Sequence, residues 1–440
     1  MRKRGITRRE FLAGAGAAGG LLLIGDRLIK VKTRAAPGAV QDGLRVAVVG
    51  LGQQGQILLR SFMKVPGVEI AALCDVDEVA LRRARAFVTA PRGQGQPRLH
   101  SDVRYILDDP RIDAVAIATP NHWHALMGIW ACQAGKHCYI ESPCSHSFFE
   151  GRQLLAAVRK YGSIVQYGSL GLSDRSGFDA TDIACLEPLQ SVRTVCFPNK
   201  VLRSNAPPSF KRARAFDLWL GPAHFEQPRQ IKPDWRKNPP MHNGALGFFA
   251  HDDLHQNMQL LGAELPVRVS TLSAGKSASV TRGACIAMRM EFGGNSHRQA
   301  KRLELEVLPK NAMPRKLRVF LAAQGGDQTT RTAPRVVSET TIRGAGGALT
   351  AISVQNLVSE SDYLVRNFVE AVREHKPQLL ASPIEQAHIT CGSLHLANIS
   401  LALKRPLTFD PTRQVAVNDA RADELLLGFH RTPYTLPERI

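Results

Sequence analysis

Leu44 to Val49 (LRVAVV) and Val68 to Cys74 (VEIAALC) are short, almost unbroken apolar runs, long enough for buried strands and too short for helices. Between them, Gln56 to about Val65 reads as a helix. The alternation continues. Asp113 to Ala118, His137 to Ile140 and Ser163 to Gln166 predict further strands, and Ala125 to Ala134 and Glu150 to Tyr161 predict helices between them. Strands alternating with helices mean a parallel, doubly wound sheet, here spanning residues 43–167. Residues 168–440 form a second unit. Within it, 190–350 gives mixed strands such as Leu303 to Val307 and Leu317 to Ala322, separated by Gly-, Ser- and Thr-rich turns.

The first predicted strand runs into Gly50-Leu51-Gly52-Gln53-Gln54-Gly55, and the second is closed by Asp75, 20 residues after Gly55. Gly50 allows the tight turn, Gly52 lets the backbone approach a pyrophosphate, and Gly55 permits close helix–strand packing. The helix N-terminus then meets phosphate charge, and Asp75 can accept from a ribose 2′-hydroxyl. A G-x-G-x-x-G placed after a strand, before a helix and 20 residues ahead of an acid marks a dinucleotide-binding Rossmann domain. Gly50, Gly52, Gln53, Gln54, Gly55 and Asp75 are its candidate cofactor contacts. Asp75 repels a 2′-phosphate and Val76 offers it no cation, so NAD is favoured over NADP, with Arg82 and Arg83 as the reservation.

Composition adds one oddity to an otherwise ordinary globular chain: 57 Lys and Arg against 38 Asp and Glu, a formal charge of +19. Taken alone, the excess suggests nucleic acid or an anionic surface. Residues 1–36 account for +7 of it, through nine basic and two acidic side chains between Arg2 and Arg34. There Arg8-Arg9 precedes Phe11-Leu12 and an apolar run from Ala13 to Ile24, which resembles a twin-arginine export signal. The run is short for a membrane span, which needs roughly 20 residues. A periplasmic or otherwise exported protein is expected, with cleavage near Ala35 or an uncleaved anchor as its only membrane attachment. The remaining basic residues are scattered rather than clustered, so no nucleic-acid partner is expected. No two cysteines are spaced as Cys-x-x-Cys or as a zinc site, and buried free thiols are the expectation.

Ala118-Thr119-Pro120-Asn121-His122-Trp123-His124, then Ala134-Gly135-Lys136-His137 and Glu141-Ser142-Pro143, resemble in this order the motifs of the Gfo/Idh/MocA family (glucose–fructose oxidoreductase, inositol dehydrogenase and relatives), its secreted bacterial branch above all. Asp217 to Ala223, Trp235-Arg236, Val365 to Phe368, Ala397 to Ser400 and Leu407 to Asp410 extend the likeness over nearly the whole mature chain. The resemblance implies an α/β fold: a Rossmann domain followed by an α+β domain whose open, mainly antiparallel sheet covers the nicotinamide. It also implies a carbohydrate substrate and a homo-oligomer formed through that sheet. Thr119, Asn121, His124 and Glu141 would line the cofactor, and Lys200, Trp235 and Arg236 would meet the substrate.

Two motifs depart from the family pattern. Its dehydrogenases end the strand equivalent to His137–Ile140 in Glu-Lys-Pro, and Ser142 stands at the lysine. On the helix that the family places below the nicotinamide, in the segment from Gly244 to His255, His255 matches the family histidine and would be the acid–base group, but His251 stands where Asp or Asn is usual and Met258 replaces a frequent acid. Asp252 is adjacent, about 100° away around a helix. Three readings follow: an oxidoreductase in which His251, His255 and Lys200 replace the lost groups, an NAD-assisted glycoside-cleaving enzyme without net redox change, and a cofactor-binding scaffold with little or no activity. The glycosidases of the family usually supply a tyrosine from a later strand end, for which Tyr167 looks out of place. His251 and His255 share a helix face, but no third ligand joins them and no metal is assigned.

Overall fold

Each predicted N-terminal strand is present in the computed structural model. The structure describes residues 20–24, 27–31, 43–89, 95–169, 184–198, 213–225, 238–273, 286–293, 300–308, 312–314, 316–317, 336–354 and 357–436. Lys200, Trp235 and Arg236 lie outside them, as does most of the export segment. Within that segment, β1 (Gly20–Ile24) and β2 (Arg27–Val31) pair antiparallel.

Strands β3 (Leu44–Val49), β4 (Val68–Cys74), β5 (Arg98–His100), β6 (Ala114–Ile117), β7 (His137–Glu141) and β8 (Val165–Gly168) make one parallel sheet, in the order β5-β4-β3-β6-β7-β8. Helices α1 (Gln53–Met63), α2 (Glu78–Thr89), α3 (His124–Gln133) and α4 (Phe148–Tyr161) connect them. Strands β3, β4, β6 and β7 are buried almost throughout, the reason they read as continuous apolar runs. The direction of strand order reverses between β3 and β6. The crevice outside their C-terminal ends is where such sheets bind ligands.

The second sheet has eight strands, in the order β14-β13-β9-β12-β11-β10-β15-β16: β9 (Leu189–Pro198), β10 (Arg268–Ser273), β11 (Ile286–Phe292), β12 (Lys301–Val307), β13 (Val336–Gly344), β14 (Gly347–Val354), β15 (Leu407–Asp410) and β16 (Val415–Ala416). Only β9 and β12 run parallel. Alternation is clean on β11, where Ile286, Met288, Met290 and Phe292 are buried and Ala287 and Arg289 are exposed. The strand expected at Leu317–Ala322 lies outside the described residues except for Leu317, whose amide closes a turn onto Pro314 O.

The boundary expected near residue 168 does not keep the later chain in the second unit. Helix α6 (Leu357–Glu374) returns to the parallel sheet, placing Leu364, Val365, Phe368, Val369 and Val372 in one core with β3, α1 and β4. Helix α7 (Ile384–Leu403) serves both cores, through Ile384, Ala387 and Cys391 on one side and Leu394, Leu396 and Ala397 on the other. Among the described cysteines Cys185 is exposed, against expectation, and the others are buried free thiols.

Candidate functional site

Helix α1 starts where the glycine turn ends, and the turn's geometry leaves no room for side chains at two places. Gly50 has φ +83°, and a Cβ there would lie 2.6 Å from Ala118 O. A Cβ on Gly55 would lie 1.8 Å from Gly50 O. Gly52 is different: a Cβ there meets nothing within 4 Å, so its lack of a side chain keeps open the space ahead of the α1 N-terminus. No side chain caps that N-terminus, and the first turn of α1 contains no acid. An uncapped, open helix start suits a phosphate.

Asp75 sits at the C-terminal end of β4. Its Oδ2 accepts from the Leu51 amide at 2.6 Å and its Oδ1 from the Asp77 amide at 2.9 Å. Burial pushes the carboxyl up to about 6, and the two amides pull the other way. Asp75 thus braces the glycine turn, and each oxygen keeps a second lone pair for a hydroxyl.

At the neighbouring strand ends, Glu141 closes β7 and is buried. Gln54 Nε2, from the glycine turn's helix, donates to Glu141 Oε1 at 3.0 Å. Gln54 therefore acts through its amide side chain, while Gln53 is exposed at the start of α1. Burial raises the Glu141 carboxyl to about 7. The Asp252 charge pushes it further up, and the Gln54 bond and His251 hold it down. Thr119, after β6, has a buried Oγ1 with no hydrogen-bond partner.

The remaining groups come from the segment 244–260. It is two helices, Gly244–Phe249 and α5 (His251–Leu260), broken at Ala250. His251 and Asp252 therefore stand in a first turn rather than mid-helix. His251 Nε2 lies 2.7 Å from Asp252 Oδ1, and Ser169 Oγ, just past β8, donates to the same oxygen at 2.6 Å. The His251 ring is buried, and neither of its nitrogens has a hydrogen-bond partner, the Nε2 contact with Asp252 being one of distance alone. Asp252 is thus not turned away from the site but joined to it, a correction to the continuous-helix expectation.

Two expected site residues hold other positions. His255 is fully buried, with Nδ1 2.8 Å from Thr390 Oγ1 and Nε2 3.1 Å from Ser382 Oγ. Burial lowers it to about 4, against the pull of Asp252. With both nitrogens engaged, it is a strut between α5 and α7 rather than an acid–base group, and Tyr167 packs edge-on against its ring at 5.3 Å. Tyr167 is buried, its hydroxyl 3.7 Å from Cys391 Sγ. His124 does not line the cleft either: its two nitrogens face Pro143 O and Thr119 O, both at 2.8 Å, tying the β6 and β7 loops together. Asn121 Nδ2 donates to Asn243 Oδ1 at 3.2 Å, linking the first of those loops to the second unit.

Ser169 was not singled out by sequence reasoning, and Gln54 was expected only as a cofactor contact of the glycine turn, not as a partner of Glu141. The rule that ligands gather at the carboxyl ends of parallel strands points to the residue after β8, so Ser169 had a signal. Among the described residues, no group of three or more side chains could hold a metal ion. The open cradle at Gly52, the braced Asp75 and the orphaned Thr119 hydroxyl fit a dinucleotide running from β4 past β3 toward β6 and β7.

Comparison with known proteins agrees. The chain is 34% identical over 168 residues to a glycosyl hydrolase family 109 protein of Shewanella pealeana, covering 34% of this chain and 36% of the relative. The chain thus spans about a third of the length of the curated relatives it matches. Among solved structures, GenD2 from gentamicin A biosynthesis in complex with NAD superposes with a TM-score of 0.60 at 17% identity, over 86% of this chain and 99% of that one. Myo-inositol 2-dehydrogenase from Lactobacillus plantarum does so with a TM-score of 0.58 at 16% identity, over 84% and 100%. At such identities these two show the fold. Residues 44–169 match the model described as oxidoreductase family, NAD-binding Rossmann fold, and residues 352–436 match that family's C-terminal alpha/beta domain. The chain belongs to the Gfo/Idh/MocA oxidoreductase family and carries its NAD-binding Rossmann domain.

Proposed function

We propose that the protein is an exported oxidoreductase that uses NAD in preference to NADP and acts on a CH–OH group of a sugar or polyol, with acid–base residues unlike the usual set. The observation that carries this reading is the convergence of Glu141, His251, Asp252 and Ser169 beside the glycine turn, with Gln54 bridging turn and cluster. Bound NAD supplies the acceptor for the hydride that leaves a hydroxyl-bearing carbon. The chain's residues must then orient that carbon and take the hydroxyl proton. Asp75 favours an unphosphorylated ribose. Ser142 cannot supply the lysine's charge, and the titratable cluster offers proton transfer in its place. The outer face of the second sheet, with Arg193 and Glu306 paired across strands, is the surface for self-association.

Native mass spectrometry of protein purified from the exporting host tests for retained NAD, followed by a panel of sugars and polyols monitored for NADH. Retained NAD with NADH formation is expected. Failure to bind NAD overturns the reading. A second reading, glycoside cleavage with NAD recycled, is favoured by the name of the curated relatives and tested with aryl glycosides. Cleavage without NADH release would establish it. Against it, Tyr167 is directed toward Cys391. Binding of NAD with neither reaction would leave the scaffold.

A further inference from the structure

We propose that Asp252 is the group that takes the substrate's hydroxyl proton, with Ser169 and His251 as the side chains that position it. The inference rests on the oxidoreductase reading and assigns the proton that this reading leaves over. Asp252 is more open than the other titratable members of the cluster: its side chain is 11% exposed, against 3% for His251. A proton acceptor must meet solvent or substrate, and Glu141 and His251 are both more deeply enclosed.

Among the described residues, the groups around Asp252 come from α5, from β7 and from β8 with the residue that follows it. Ser169, after β8, donates to Oδ1, and the Nε2 of His251, its neighbour on α5, lies 2.7 Å from the same oxygen without the alignment of a hydrogen bond. Glu141 from β7 and the phenols of Tyr139 and Tyr167 feel the Asp252 charge, and so does His255 one turn along α5. The Ser169 bond and the close His251 ring together restrict the carboxylate, the preorganisation that proton abstraction requires. The buried His251 ring, with neither nitrogen in a hydrogen bond, is a second polar group beside Asp252 that the fold itself leaves unmatched.

The step balances simply. The substrate O–H bond would break, its proton forming a carboxylic acid on Asp252, and the electron pair left on oxygen would become the second bond of the carbonyl, while NAD, held by the glycine turn and Asp75, would supply the two-electron acceptor for the carbon's hydride. Loss of the proton from Asp252 to water would restore the carboxylate.

The test compares wild type, Asp252→Asn, Asp252→Glu and Ser169→Ala, using a substrate found active on the panel. NAD affinity is measured by fluorescence titration, kcat is followed against pH, and thermal melting confirms the fold. Asp252→Asn should lose about a hundredfold or more in kcat, with NAD affinity within about threefold and the acid limb of the pH profile gone. Asp252→Glu should recover part of the rate, and Ser169→Ala should shift the acid limb while keeping most of it. If wild type turns over and folded Asp252→Asn stays within about threefold of it, the assignment falls and the oxidoreductase reading survives. If wild type binds NAD but oxidises nothing, the reading itself falls, and the assignment with it.

Discussion

At the scale of single residues, the three glycines of the turn answer to different physics. Gly55 is constrained by Gly50 O and Gly50 by Ala118 O, both inside the fold, whereas Gly52 borders open space with φ −66°, a value any residue adopts. Gly52→Val should therefore leave the melting temperature nearly unchanged and weaken NAD binding by about tenfold or more, because the new side chain enters the phosphate space. Gly55→Val should instead destabilise the fold. Thermal melts beside NAD titrations separate the two, and equal destabilisation by both would refute the distinction. Glu141 gives a pH prediction. Its carboxyl rises from 4.5 to about 7 on folding, chiefly by burial, so the folded chain binds this proton more tightly than the unfolded one. Stability is then highest below about pH 4.5 as far as this group is concerned, and falls as pH rises to about 7. The ceiling is on the order of 3 kcal/mol. Asp75, raised to about 6, acts in the same direction and finishes earlier. Urea unfolding of cofactor-free protein at pH 5 and 7.5 should show the loss, and Glu141→Gln should remove most of it. A slope unchanged by that substitution would show that Glu141 is not the group responsible.

Among elements, the strands of the first sheet were readable because double-sided burial writes itself as apolar runs. Predicted and observed limits agree for β3 and β4 and differ by a residue or two elsewhere. The site was less legible at α5. Whether Asp252 faces His251's neighbours depends on where the helix starts, and the break falls at Ala250, between buried Leu246, Phe249 and Leu254, with no Pro or Gly there to announce it. The same limit hid the destination of α6. Apolar residues at 364, 365, 368, 369 and 372 announce one buried face, yet periodicity cannot say against what it is buried. The answer is the Rossmann sheet. Phe368 meets Phe62 at 6.3 Å and Tyr139 at 6.1 Å, edge to face, and Asp362 accepts from Ser61 Oγ and Lys64 Nζ, each at 2.6 Å. Phe368→Ala should cost about 3–5 kcal/mol, measured by urea unfolding, and should lower the stability of the nucleotide-binding half although the residue lies 200 positions beyond it. A loss below about 1 kcal/mol would mean that α6 is merely adjacent.

Over the whole molecule, two sheets that read as separate units are joined by continuous packing. Helix α7 lends one stretch to each core, Asn398 Nδ2 donates to Asn243 O, and Asn243 in turn receives Asn121 from the β6 loop and donates to Ser145 O after β7. Ser145 Oγ also lies 3.0 Å from His395 Nε2 on α7. These contacts tie the loops after β6 and β7 to the second unit, so opening one unit strips partners from the other. The formal charge of +19 has no part in this, since its surplus lies partly in residues 1–36 and is otherwise dispersed. The expected consequence is one cooperative unfolding transition for both sheets. NAD at about 100 times its Kd adds about 2.7 kcal/mol to the stability of whatever unit contains the site, which for a chain of this size moves the midpoint by about 3 °C. Far-ultraviolet circular dichroism and tryptophan fluorescence should both report that shift, since Trp123 and Trp130 lie in the first unit's core and Trp219 beside residues 238–243 of the second. A calorimetric scan with two peaks, only the first of which moves with NAD, would show instead that α6 and α7 bind the units without making them one.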